Sequence, residues 1–193
     1  MDDLAFLHPP ARLERILEHT RDIGFDMASE TRTGAFLRTL AASKPGGRLL
    51  ELGTGTGVGT AWLLDGMDAA ARLISVDADP AVQQIARNAL AGDPRLSLQI
   101  EDALAFLARQ PAGSFDLVFA DALAGKYEGL HEALRVVRRG GFYIVDDLLP
   151  QPNWPEGHAA KVPRLLADLS HHPEFSVLPL AWASGLLMAV RIV

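Results

Sequence analysis

The sequence predicts an α/β fold built on one doubly wound sheet of seven strands, and three observations predict it. From residue 48 onward, short runs rich in Val, Ile, Leu and Phe alternate with segments of helical periodicity. Those runs are apolar almost throughout rather than at every second position, as parallel strands are when helices cover both faces of a sheet. The last two runs, 174–182 and 185–193, are separated only by Ala183-Ser184. That gap is too short for a crossover helix, so they form an antiparallel hairpin.

Two helices come first. Residues 11–23 carry Leu13, Ile16, Leu17 and Ile23 at helical spacing, and 31–43 repeat the pattern before Lys44-Pro45-Gly46-Gly47 stops it. Strands are then expected at 48–52, 72–77, 95–101, 115–121 and 141–147. Helices at 58–67, 80–91, 102–110 and 128–139 connect them, and Pro80 suits a first helical turn. A proline-rich loop, LPQPNWPEG (149–157), follows the fifth strand and is the expected active-site cover. A helix near 158–170 leads into the hairpin. The whole is a Rossmann-like arrangement: five parallel strands plus a C-terminal antiparallel hairpin, helices on both faces, one domain over 1–193. Residues 1–45 read as an N-terminal helical cap and 46–193 as the ligand-binding core.

Of the 193 residues, 49% are apolar, enough to furnish the core of one domain. The net charge of -6 and the lack of a basic stripe with interleaved aromatics argue against a nucleic-acid partner. The chain has no cysteine, so disulfides and thiolate metal sites are excluded. The acidic start MDDLAFLHPPARLE lacks the features of a signal peptide, and no apolar stretch approaches the roughly 18 residues of a membrane span. A cytoplasmic protein without membrane association is expected. A homodimer through helix 11–23 is also expected, although core packing would use the same apolar stripe.

The stretch GTGTGVGT (53–60) follows the first strand directly. In a doubly wound sheet, ligands bind outside the carboxyl ends of the strands, where strand order reverses. Glycines there permit close backbone approach, and the next helix points free N–H groups at the same place. The dinucleotide fingerprint fails, because its third glycine would fall on Val58 or Thr60, and no Gly-Lys-Ser/Thr of a nucleotide-triphosphate loop follows. The string Glu51 to Gly57, ELGTGTG, instead resembles motif I of the class I S-adenosylmethionine-dependent methyltransferases. That resemblance implies that Gly53, Thr54, Gly55 and Gly57 surround the methionine part of S-adenosylmethionine and that Glu51 supports its ammonium. Asp77 ends the second strand, where a carboxylate can accept both hydrogen bonds of a ribose diol; Ala78 follows it. Asp79 is better placed to cap the next helix. Asp102-Ala103, after the third strand, would read the adenine by the same resemblance, although Asp102 also suits a helix cap.

Asp121 stands at the end of the fourth strand, and Asp146 and Asp147 at the end of the fifth. Three converging carboxylates repel unless a hard divalent cation, a substrate cation or raised pKa values relieve them. Here the chain resembles the small cation-dependent O-methyltransferases related to catechol and caffeoyl-coenzyme A O-methyltransferases. The resemblance implies that Asp121, Asp146 and Asp147 hold Mg²⁺, with Asp121 also beside the cofactor. The metal would bind a vicinal diol and ease ionisation of one hydroxyl. Tyr127 matches the family's tyrosine, and in GFDMASETRTGAFLRTL (24–40) Met27 and Glu30 match a segment that walls the cofactor site. Two departures stand out: the pair is Asp-Asp instead of Asp-Asn, and Ala124 occupies the place of the family's lysine, with Lys126 two positions later. Lys126 is read either as the base or as a solvated loop lysine. His158 is the alternative base. Trp154 would stack on a planar acceptor or pin its loop. The expected activity is O-methylation of a small-molecule hydroxyl. A metal-independent methyltransferase, an aminopropyl transferase and a non-catalytic S-adenosylmethionine-binding protein remain as alternatives.

Overall fold

Alternation along each strand divides the apolar residues between two faces, and helices cover both. The computed structural model describes residues 3–90 and 92–193. Among these, seven strands form one sheet: β1 (Arg48–Leu52), β2 (Arg72–Asp77), β3 (Leu96–Ile100), β4 (Phe115–Ala120), β5 (Val137–Val145), β6 (Phe175–Leu180) and β7 (Leu186–Arg191). Their order is β3-β2-β1-β4-β5-β7-β6. β1 to β5 run parallel, and β7 lies antiparallel between β5 and β6. Leu50 and Leu52 join a core with Phe106 and Leu107 of α5 (Ala103–Ala108), Leu134 of α6 (Leu130–Arg135) and Leu165 of α7 (His158–Ser170). Leu49 faces the other way, into a core built by α1 (Leu13–Asp22), α2 (Thr31–Ala42), α3 (Val58–Gly66) and α4 (Pro80–Leu90).

The expected architecture stands, with local corrections. The fourth crossover helix was expected to reach Arg139 but stops at Arg135, and β5 begins at Val137. Val137 pairs with Phe115 across a register shift, so the ladder claims residues that periodicity assigns to the helix. The hairpin strands end at Leu180 and Leu186, leaving a wider turn than Ala183-Ser184. A short 3-10 turn at Asp3–Phe6 was not expected. Ala91, expected to end the helix 80–91, lies outside the described residues. The apolar stripe of α1 serves the core, with Leu13 and Ile16 buried. No helix among the described residues is long and apolar enough to cross a membrane.

Gly57 shows how tightly one face is packed. It precedes α3 with φ 94°, and a Cβ there would lie 2.7 Å from the Cβ of Ala86 in α4. Left-handed backbone and overpacking together set the cost of a side chain, so Gly57→Ala lowers unfolding stability by about 2–4 kcal/mol. Urea denaturation monitored by tryptophan fluorescence measures it; an unchanged midpoint would show that α3 and α4 are not in this contact.

Candidate functional site

A cavity of about 1030 Å³ opens at the carboxyl ends of β1, β2, β3, β4 and β5. It is as large as the largest ordinary small-molecule pockets. The turn after β1 contributes Gly53, Thr54 and Gly55 to its wall. Gly53 has φ 98°, and a Cβ on it would meet the carbonyl oxygen of Asp121 at 2.7 Å, so only glycine lets the turn lie against the end of β4. The Gly55 N–H donates to Oδ2 of Asp77 at 2.7 Å, while Oδ1 of Asp77 accepts from the Asp79 N–H at 2.9 Å. Asp77 thus braces the turn from the end of the neighbouring strand. Asp79 caps α4 through the N–H groups of Ala81 and Val82.

Ala78, Asp102, Ala103, Met27 and Glu30 also line the cavity. Asp102 is at the same time the N-cap of α5, accepting from the Ala105 N–H at 2.8 Å. Two residues expected at the cofactor are absent from the cavity lining. Gly57 is absent from the lining because its open side is filled by α4. Glu51 lies behind the wall, fully buried, where it accepts hydrogen bonds from Thr60 and, at 2.5 Å, from Ser75. It ties β1, β2 and α3 together beneath the glycine turn. Burial raises its carboxyl pKa to about 7 against the pull of those two hydroxyls. The Thr54 side chain also turns inward, to Ser75 and Gln83, so its backbone is what the turn offers.

At the ends of β4 and β5 the expected convergence of three carboxylates does not occur. Asp121 is half-buried in the cavity wall and accepts from Ser29 at 2.8 Å. Burial, reinforced by Asp146, raises its pKa well above the usual carboxylate range. Asp146 is only 2% exposed; Ser184 and the Asp147 N–H occupy its Oδ1, and burial raises its pKa too. Asp147 adopts φ 66°, a left-handed conformation that aspartate tolerates. Its Oδ1 accepts from Trp154 Nε1 at 2.6 Å, and its Oδ2 lies 3.6 Å from His158 Nε2. Among the described residues no group of three or more His, Asp or Glu could hold a metal ion. The donor set expected for Mg²⁺ therefore does not fit, because Asp147 has turned to other partners.

Lys126 is not a solvated loop lysine. It is 3% exposed, lines the cavity, and its Nζ donates to the Asp146 carbonyl at 2.8 Å. His158 is buried at the start of α7, with Nε2 3.0 Å from the Tyr127 hydroxyl. Burial, with Lys126 nearby, lowers its pKa below the usual 6.5, whereas burial raises Tyr127 to about 12. Trp154 stacks on the His158 ring at 4.4 Å, so it pins its loop. Asn153 of the same loop donates to the Asp26 carbonyl at 2.6 Å, bridging to the segment before α2. Sequence reasoning missed Ser29 and Ser184, whose roles come from chain segments far from the aspartates they serve.

A family model described as a methyltransferase domain matches residues 50–148. A Mycolicibacterium vanbaalenii protein named provisionally as an O-methyltransferase is 36% identical over 133 residues, 66% of this chain and 58% of that protein. The chain therefore spans about three-fifths of the length of the curated relatives it matches. Among solved structures, the O-methyltransferase TomG from Streptomyces achromogenes, in complex with S-adenosylmethionine, superposes with TM-score 0.82 at 21% identity, covering 97% of this chain and 92% of that one. An O-methyltransferase from Bacillus cereus in complex with S-adenosylhomocysteine gives TM-score 0.82 at 22% identity, covering 96% and 93%. These two likenesses establish a shared fold.

Glu51 makes stability pH-dependent. Its folded pKa of about 7 lies above the ordinary 4.5 of a glutamate, so the protonated form favours folding. Its contribution is fully present below pH 4.5 and is lost as pH rises through 7. Glu51→Gln, which cannot ionise, stabilises the protein at pH 8 relative to pH 5 by about 1–3 kcal/mol compared with the parent. Urea unfolding at both pH values checks this; equal effects at both would mean that Glu51 is charged throughout.

Proposed function

Because the chain belongs to this methyltransferase-domain family, we propose that it transfers a methyl group from S-adenosylmethionine to a hydroxyl of a small molecule. The observation that carries the reading is the single cavity wall shared by Gly53, Gly55, Asp77, Asp102, Ala103 and Asp121, one feature from each successive strand end. The glycine turn offers backbone to the methionine part. Asp77 accepts from the ribose diol, and Asp102 with Ala103 faces the adenine. The cavity volume leaves room for an acceptor beside the donor.

In-line displacement at a sulfonium asks the protein to align donor and acceptor, exclude water and take a proton. The loop 149–157 supports exclusion of water, since Asn153 and Trp154 tie it across the mouth. His158 takes the proton on Nδ1. Its lowered pKa keeps the imidazole neutral near pH 7, the Nε2–H side is held by the Tyr127 hydroxyl, and Asp147 beside it stabilises the imidazolium that forms. Lys126, expected as a base, already donates from its Nζ to a carbonyl and leaves that role to His158.

Isothermal titration with S-adenosylhomocysteine gives saturable binding, and Asp77→Ala weakens it at least about tenfold, the scale of a lost charged hydrogen bond. No heat and no thermal shift at millimolar ligand would end the proposal. With an acceptor found by a mass-spectrometric metabolite screen, His158→Gln lowers kcat by about 10²- to 10⁴-fold and leaves S-adenosylhomocysteine affinity unchanged. In the parent, activity falls as pH drops through a value below 6.5, where the base becomes protonated; the variant loses that limb. An unaltered acidic limb would move the base to another residue.

A further inference from the structure

We infer that Lys126 is a built-in counter-cation for Asp121 and Asp146, occupying with its ammonium the electrostatic role for which related sites recruit a divalent metal. Two carboxylates, a half-buried Asp121 and a buried Asp146, end adjacent parallel strands, Ala120 standing opposite Val145 just before them. Such a pair requires positive charge nearby or protonation. Lys126 lies in the same cavity wall, nearly fully buried, with Nζ anchored on the Asp146 carbonyl. Both carboxylates feel its charge.

The loop between β4 and α6 is built to hold it there. The N–H groups of Lys126, Tyr127 and Glu128 all donate to the Leu123 carbonyl, and the buried Tyr143 hydroxyl donates to the Gly125 carbonyl at 2.6 Å. The ammonium also lies 5.2 Å from the centroid of the Tyr127 ring, a favourable site for a cation. The third carboxylate has meanwhile left the cluster: both Asp147 oxygens face the Trp154–His158 side. A fixed cation has replaced the conditions for an exchangeable one.

The inference rests on the proposed methyl-transfer site, and one set of samples separates the two. Mn²⁺ is titrated into the full chain saturated with S-adenosylhomocysteine, and bound metal is read by electron paramagnetic resonance; a thermal shift on the same samples reports nucleoside binding. The parent takes up no stoichiometric Mn²⁺ at 1 mM, a concentration on the order of the weakest calcium sites. Lys126→Ala, or Lys126→Met if the alanine variant does not fold, binds Mn²⁺ at least tenfold more tightly, and Asp121→Asn in that background removes the gain. One equivalent of Mn²⁺ bound by the parent overturns the inference. So does a lysine variant that binds no better than the parent. Absence of an S-adenosylhomocysteine shift overturns the methyltransferase reading instead, whatever the metal result.

Discussion

Strand order reverses once among the parallel strands, between β1 and β4, and the position of every candidate residue descends from that reversal. The chain leaving β1 crosses toward β2 and the chain leaving β4 crosses toward β5, so their exits diverge and leave a crevice. The crevice exists before any particular side chain is placed. Its floor is tight enough that Gly53 touches the Asp121 carbonyl region, so the two halves of the sheet meet at backbone distance. A residue larger than glycine at that point would separate β1 from β4 at the mouth of the crevice.

Placing a polar site at strand ends buries charge, and each acid there has its own answer. Glu51 draws on the hydroxyls of Thr60 and Ser75, Asp121 on Ser29, Asp146 on Ser184, and Asp147 on the Trp154 indole. Hydroxyl donors offset only part of a desolvation penalty, which is why Glu51, Asp121 and Asp146 retain raised proton affinity. Among the described residues lining the cavity, Lys126 is the one lysine or arginine. It stands among eight acidic residues of the same lining, and its ammonium offsets part of their charge.

The frame was legible because its signals are local. Apolar runs, Pro80 and the glycine turn fixed the strands and their exits, and the ends of those strands delivered Asp77, Asp102 and Asp121 to one wall. What stayed hidden depends on direction or on distant segments. Nothing in GTGTG distinguishes Gly55, which faces the cavity, from Gly57, which faces α4. Lys126 reads as a loop lysine until the hydrogen bonds to the Leu123 carbonyl turn it inward. Ser184 reaches Asp146 only because β7 inserts between β5 and β6, a placement that an isolated hairpin pattern does not specify. The second half of the Asp-Asp pair misleads for a different reason: its left-handed backbone swings the side chain away from its neighbour's.

That swing also accounts for the departure from the Asp-Asn pair of the resembled family. Asp147 faces two donors at once, the Trp154 indole N–H and the Nε2 side of His158. An asparagine presents one acceptor oxygen and an amide nitrogen that would oppose one of those donors. A carboxylate satisfies both and adds charge where the imidazolium forms. The same side chain consequently holds the covering loop and supports the proposed base, so a loop displaced from the cavity would take that stabilisation with it. The proposed proton transfer is thereby confined to the closed arrangement, in which water is least able to compete with the acceptor.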